Sequence, residues 1–263
     1  VSVAVTIIAR DEGHRIAQCL ESVRWADEIV VVVDERTTDD TEAVARRFTD
    51  RVFRRAFDTF PAQRQFADDQ ARADWILSVD CDEVVTPELA AEVAATLRAP
   101  AATVYRVPHR DWMFGRWMRH AGTFPQYHFR LYRRGAARWG SAVHERVAFE
   151  GALGTLRQPL LHYSHLTVAD WIAKMSAYTT TEAQMMFEHG ERAGAWRILS
   201  EPPLYFGYKY VVQQGWRDGM HGLVISLLLG AYRLVRNLKL WDLQQRAANP
   251  RDPRDSPPPQ DLR

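Results

Sequence analysis

An α/β fold with a mostly parallel central sheet flanked by helices, followed by a helical C-terminal extension, is the architecture this sequence predicts. Three observations carry the prediction. Short apolar runs rich in Val and Ile alternate with helix-period segments across residues 3–97, the pattern of strand–helix–strand units. Those runs are continuously apolar instead of alternating, as expected of strands covered on both faces. From residue 168 onward only helical patterns follow, ending in a segment rich in Pro and charge at 249–263.

Residues 3–9 predict the first strand, 10–13 a loop, and 15–23 a helix with Ile16, Leu20 and Val23 on one face. The unit repeats with a strand at 28–33, a polar loop from Asp34 to Asp40 and a helix at 41–48. A third strand at 51–54, a helix at 61–73, a fourth strand at 75–79 and a helix opened by Pro87 complete the first half. Right-handed crossovers gather the loops after these strands on one rim, so Asp34 and Asp80 are expected to be neighbours in space. Past Pro100 the strands at 103–107 and 129–133 predict a mixed extension of the sheet. The resulting division is residues 1–165 as one α/β domain, with halves 1–100 and 101–165, then a helical extension at 166–248 and a disordered tail at 249–263.

The chemistry concentrates in Trp75-Ile76-Leu77-Ser78-Val79-Asp80-Cys81-Asp82-Glu83. Three carboxylates reach the carboxyl end of a buried strand, where open α/β sheets bind ligands, so a cation is expected there. Alternation along an extended chain predicts Asp80 and Asp82 on one side and Cys81 on the other. The plainer alternative is a helix N-cap cluster ahead of Pro87.

With 263 residues the chain can bury a large core, and a net charge of +1 offers no general electrostatic case for nucleic acid. Cys19 and Cys81 lack metal-type spacing and fit a reducing cytoplasm. The first apolar run has no basic leader or cleavage site, so it is expected to be a strand and not an export signal. Near the C-terminus, the run at 223–229 is too short to span a bilayer. Arg233, Arg236 and Lys239 then recur at helical spacing opposite Leu234, Val235, Leu238 and Trp241, a pattern suited to in-plane membrane contact, to a protein partner or to an ordinary core helix.

Several ordered motifs resemble the family 2 glycosyltransferases with the GT-A (nucleotide-diphospho-sugar transferase) fold, particularly bacterial enzymes of the lipopolysaccharide-core glucosyltransferase type. Thr6-Ile7-Ile8-Ala9-Arg10-Asp11-Glu12 resembles the family's opening strand and loop, and Val30-Val31-Val32-Val33-Asp34 with Thr37-Thr38-Asp39 its second strand and donor loop. The family's usual glycine is absent from that loop. Gln63-Arg64-Gln65-Phe66-Ala67 resembles its Arg-Asn-x-Ala segment, Asp80-Cys81-Asp82 its metal motif, Val143-His144-Glu145 the position of its catalytic carboxylate, and Leu161-His162-Tyr163-Ser164-His165 its late His-Tyr-Ser segment.

The resemblance implies an inverting, metal-dependent transfer of a sugar from a nucleotide-diphospho sugar, with UDP-hexose as the expected donor and a glycolipid or cell-envelope glycan as acceptor. Ala9, Glu12, Asp34, Arg64, Asp80 and Arg130 are the donor-binding candidates, Asp82 and His162 the ligands of Mg²⁺ or Mn²⁺, and Glu145 the general base. Hard oxygen donors suit both ions, and a carboxylate near the acceptor can take the hydroxyl proton. His162, between apolar neighbours, can equally be a hydrogen-bonded core residue. Trp112, Phe114, Trp117 and Phe124 offer an acceptor platform or a plain aromatic core. A cytoplasmic enzyme, peripheral on the inner face of the membrane, follows from this reading. Its rivals are a nucleotidyltransferase on a related α/β sheet and a non-catalytic sugar-nucleotide-binding scaffold.

Overall fold

The computed structural model describes residues 1–140, 146–165 and 167–248. Two compact units emerge, one comprising Val1–Arg119 and Thr123–Leu166, the other His120–Gly122 together with the chain from Thr167 onward.

The first unit is built on one large sheet. Its leading half follows the expected order: β1 (Val3–Ala9), α1 (Gly13–Ser22), β2 (Glu28–Asp34), α2 (Thr41–Ala45), β3 (Val52–Arg55), α3 (Phe60–Gln70), β4 (Trp75–Asp80), a two-residue β5 (Glu83–Val84) and α4 (Pro87–Arg98). The second half supplies β6 (Val104–Met113), β7 (Arg116–Trp117), β8 (Gln126–Arg133), β9 (Ala137–Gly140), β10 (Arg146–Phe149), β11 (Leu153–Thr155) and β12 (Leu160–His165). Across the sheet the order is β3-β2-β1-β4-β8-β6-β12-β5, with β11 and β7 attached to β6 and a separate β9–β10 ribbon. β3, β2, β1 and β4 are mutually parallel, and β8 enters antiparallel to β4.

Both faces of β1 are covered, which explains why every residue of the strand but Thr6 is apolar. Val3, Val5 and Ile7 join Ile16, Leu20, Leu89 and Val93 in one core, under α1 and α4. Ala4 turns to the other face, in a second core with Ile76, Tyr132 and Ala71. Thr6, on that same face, donates to Asp68 of α3 at 3.0 Å. Thr59 and Thr86 cap α3 and α4 by accepting from the backbone N–H three residues on, each ahead of a Pro in the first turn.

Three expectations need correction. β2 and β4 are not adjacent, because β1 pairs with both, so Asp34 and Asp80 lie on strands that flank β1. α2 ends at Ala45, since the chain leaves the helix in turns before Phe48. β6 continues well beyond Val107 to Met113, through Pro108; the missing N–H ends the sequence signal for a strand without ending the strand.

The second unit is helical: α5 (Val168–Glu188), α6 (Ala195–Gly207), a wide turn at Tyr208–Val212, a 3-10 turn at Gly215–Asp218, and α7 (Gly219–Ala248). Thr167 and Asp170 form a reciprocal capping box at the start of α5. The basic stripe read on α7 turns inward. Arg236 is buried and reaches Glu182 of α5 at 2.8 Å and Glu201 of α6 at 2.5 Å. Lys239 Nζ donates to the Ser176 carbonyl at 2.6 Å and to Thr180 at 2.7 Å. Leu238 and Trp241 are the exposed positions instead, so α7 presents no basic face of the kind expected to meet lipid. No helix among the described residues is long and apolar enough to cross a membrane.

Candidate active site

β4 carries the acidic stretch to the carboxyl rim, where its register with β1 sets Asp80 beside Ile8. There the strand stops and the chain turns through Cys81 and Asp82. Cys81 faces inward as expected, its thiol donating to the Ile8 carbonyl at 3.2 Å. Asp80 and Asp82, however, have different partners.

Asp80 is clamped by two arginines. Its Oδ1 meets Arg64 Nη2 of α3 at 2.7 Å, and its Oδ2 meets Arg130 Nη2 of β8 at 2.7 Å. Burial pushes this carboxyl up, but the Arg130 and Arg64 guanidiniums override burial and hold it well below the usual carboxylate range. Arg64 also lies over the Trp139 ring at 5.1 Å, which fixes the plane of its guanidinium. Arg130 bonds Glu83 as well, whose side chain is fully buried and accepts the Asp80 backbone N–H at 2.8 Å. Burial raises Glu83 to about 7 against the pull of Arg130.

Asp82 belongs to a second cluster. Its Oδ2 lies 3.6 Å from His162 Nε2 and 3.8 Å from Arg15 Nη1. On the other side of the ring, His162 Nδ1 bonds Asp111 Oδ1 at 2.8 Å. Register explains the meeting, since β12 runs beside β6 with His162 opposite Asp111. Burial pulls the His162 pKa down, but the two carboxylates more than reverse this and raise it to about 10. His109, two residues before Asp111 on β6, accepts from Arg130 Nε at 3.4 Å and packs against His128 with ring centres 4.1 Å apart and the rings tilted by 36°. Burial and Arg130 hold His109 well below its ordinary pKa, so it is neutral.

A divalent cation fits the second cluster. His109, Asp111 and His162 offer ligand atoms within 4.8 Å of one another, but His109 Nε2 is engaged by Arg130. The fitting donors are therefore the Asp82 carboxylate and His162 Nε2, with Asp111 fixing the imidazole from behind, as outer carboxylates do for ligating histidines. Oxygen with one imidazole suits Mn²⁺ and tolerates Mg²⁺.

The loops after β1 and β2 knit together at the same rim. Asp34 is buried and accepts from Arg36 through its backbone N–H and Nη2, both at 3.0 Å, with Arg10 at 3.8 Å. Asp11, in the left-handed region at φ 52°, accepts the Thr38 N–H at 2.8 Å, and Asp39 accepts the Gly13 N–H at 2.9 Å. Side-chain carboxylates thus shape the loop after β2, which lacks the glycine usual in the resembled motif. Glu12 pairs with Arg15, and Ala9 is buried at the end of β1.

The structure therefore gathers Arg64, Asp80 and Arg130 into one cluster and Asp82 with His162 into another, while Asp34 sits with Arg36 and Arg10, and Glu12 with Arg15 at the start of α1. Glu145 lies outside the described residues. Sequence reasoning missed Glu83 as a partner of Arg130, and Arg15, His109 and Asp111 altogether. The alternation His109-Arg110-Asp111 is the available signal, hidden because Pro108 interrupts the strand pattern after Val107.

The glycosyl transferase family 2 pattern matches residues 4–150, more than half of the chain, and the chain belongs to that family. It is a glycosyltransferase of the GT-A class acting on a nucleotide sugar, which sets aside the nucleotidyltransferase and scaffold alternatives. Among its relatives, the lipopolysaccharide core biosynthesis glycosyltransferase LpsC of Rhizobium meliloti is 28% identical over 253 residues, covering 93% of each chain. An uncharacterised glycosyltransferase of Rickettsia conorii is 24% identical over 260 residues, covering 94% of this chain and 92% of its own. The solved structure of S. aureus TarS 1-349 in complex with UDP-GlcNAc superposes with a TM-score of 0.48 at 11% identity, covering 94% of this chain and 92% of that one.

Proposed function

We propose that this protein is a metal-dependent, inverting hexosyltransferase that uses a UDP-sugar and glycosylates a glycolipid or cell-envelope glycan at the cytoplasmic face of the membrane. The observation that carries the metal-dependent part is the Asp82–His162–Asp111 chain, in which a rim carboxylate faces an imidazole already held by a second carboxylate. The envelope acceptor takes its support from the likeness to LpsC across nearly the whole length of both chains. UDP-hexose follows from the family resemblance of the donor loop.

Asp82 and His162 would hold Mn²⁺ or Mg²⁺, which supplies Lewis-acid charge to offset the departing diphosphate. Asp80, fixed between Arg64 and Arg130, offers the donor a rigid rim, and its two arginines bring positive charge close to where phosphate oxygens sit. Asp34 and Glu12 line the nucleotide side of that rim, beyond the end of β1 at Ala9. Glu145, on its sequence pattern, takes the acceptor hydroxyl proton as that oxygen attacks the anomeric carbon, and the bond to the diphosphate breaks on the opposite face.

Calorimetry with UDP, with and without Mn²⁺, tests the metal site. Asp82→Ala and His162→Ala are expected to abolish the Mn²⁺-dependent gain in UDP affinity, and an undiminished gain in both variants would remove the assignment. Glu145→Gln is expected to retain UDP-sugar binding and lose transfer; wild-type turnover would eliminate Glu145 as the base.

A further inference from the structure

α6 is a helix without a buried side chain, although its sequence is strongly apolar. Trp196 is 82% exposed, Leu199 73% and Leu204 70%, far more than a helix packed as core would leave. Their spacing, with Pro203 between, follows i, i+3, i+7, i+8 and places them along one face. The exposed stripe continues past the helix through Tyr208, Val211 and Val212 of the wide turn, then Trp216 and Met220. A shallow trough of about 490 Å³ runs along its start, between Trp196, Leu204, Tyr205 and Tyr208. Contiguous exposed apolar surface of this kind marks a binding face.

Charge selects the partner. Between Arg192 and Trp241 the sequence holds only two acids, Glu201 and Asp218. Glu201 is committed to Arg236 and Asn237, and Asp218 is buried against His120. Glu191, at the margin, pairs with Arg197 at 3.0 Å. Around the apolar stripe the two acids that reach the surface, Glu191 and Glu201, are both engaged by arginines, while Arg192, Lys209 and Arg217 add exposed or half-exposed positive charge. Aromatic rings with polar tips, bulky aliphatics and a local excess of bases over acids match the headgroup boundary of an anionic bilayer, where Trp and Tyr concentrate and Lys and Arg meet lipid phosphates. With no helix among the described residues able to span, the fitting mode is in-plane docking.

We propose that the α6 face and the turns that follow it, Trp196 to Met220, dock this protein on an anionic phospholipid bilayer. This deepens the reading of the acceptor as membrane-borne and rests on it only for the place where the enzyme works. The surface differs from the one the sequence suggested, because Arg236 and Lys239 of α7 turn inward to Glu182, Glu201 and the hydroxyls of α5, whereas Arg192, Lys209 and Arg217 stay near the surface on carbonyl, ring and amide contacts.

Vesicle flotation of the full chain, without donor or acceptor, tests the proposal on phosphatidylcholine vesicles with and without phosphatidylglycerol. The wild type is expected to float with the phosphatidylglycerol vesicles and to lose binding as salt rises. Trp196→Ser/Leu204→Ser is expected to lose roughly tenfold or more in partition, since moving even one large side chain out of an apolar phase is equivalent to about that factor. Trp216→Ser/Met220→Ser, on a different element, is expected to behave alike, so that a folding defect in one pair, seen by circular dichroism, leaves the other to decide. Arg192→Gln/Lys209→Gln/Arg217→Gln is expected to lose the preference for phosphatidylglycerol. Wild-type partition in both apolar variants, no binding by the wild type, or a concentration-dependent dimer that Trp196→Ser/Leu204→Ser dissolves would each overturn it, the last by making a second copy the occupant. UDP-sugar hydrolysis measured separately in vesicle-free buffer reports on the donor reading, so the two can fail independently.

Discussion

Asp68 lets one buried charge be weighed. It sits one helical turn after Arg64 on α3 and accepts three hydrogen bonds, from Thr6 Oγ1 at 3.0 Å, Tyr132 OH at 2.7 Å and Trp139 Nε1 at 2.8 Å. Burial outweighs these donors and raises its pKa from 3.8 to about 6. A folded-state pKa above the unfolded one means that the stabilising contribution is complete below the unfolded value, near pH 3.8, and is lost as pH rises through about 6. That difference is equivalent to about 3 kcal/mol, at about 1.4 kcal/mol per pH unit. Asp68→Asn removes the titration and keeps the bonds: the amide oxygen accepts from Tyr132 and Trp139, which share one carboxylate oxygen, and the amide nitrogen donates to Thr6, whose hydroxyl turns to accept. The variant is therefore expected to gain on the wild type by about 2 kcal/mol between about pH 4 and about pH 8. Urea unfolding across that range measures the difference. A gap between the two proteins that is constant with pH would refute the assignment of a raised pKa, whatever its size. Because the amide keeps the bond to Trp139, on which Arg64 rests as it clamps Asp80, the same substitution is expected to leave UDP binding intact.

Asp111→Asn is expected to weaken Mn²⁺ binding by ~10–100-fold in calorimetry, because it loosens the imidazole that faces Asp82; an unchanged affinity would separate Asp111 from the metal site. Arg130→Met leaves buried Glu83 without its counter-charge and is expected to cost roughly 3–5 kcal/mol in urea unfolding, with Arg130→Met/Glu83→Gln recovering a large part. Gly222→Ala puts a methyl group into the Gly215 carbonyl, which is backbone and has no rotamer by which to move aside, and about 1–3 kcal/mol of lost stability is expected from thermal unfolding.

Most of the donor-side half was legible because its signals are local. Val30 to Val33 and Trp75 to Leu77 are apolar without alternation, and two covered faces are the physical cause. The acidic rim was equally legible, since Asp80, Asp82 and Glu83 follow a buried strand directly. What stayed hidden depends on pairing between distant segments. Asp111 meets His162 only through the β6–β12 register, across fifty-one positions of chain, and Pro108 masked the strand that makes the pairing. On α7 the amphipathic pattern was real but its direction was inverted. Arg236 and Lys239 turn inward because Glu182 and Glu201 on the neighbouring helices, together with Thr and Ser hydroxyls of α5, satisfy them there. Helical spacing reports that two faces differ; it does not report which face finds partners.

The same distinction governs the Asp80–Asp82 pair. Alternation would put both carboxylates on one side of an extended chain, and that geometry invites a single shared ion. β4 ends at Asp80, however, so a turn, not a strand, sets the direction of Asp82. Asp80 keeps the orientation of the strand and drops between two arginines that come from α3 and β8, on either side of it in sequence and anchored separately. Asp82, released from the strand, reaches the imidazole carried by β12. One carboxylate thereby holds the rim rigid and the other faces the place where a cation fits. The separation follows from where a strand stops, and it gives the two acids different partners although they are two residues apart.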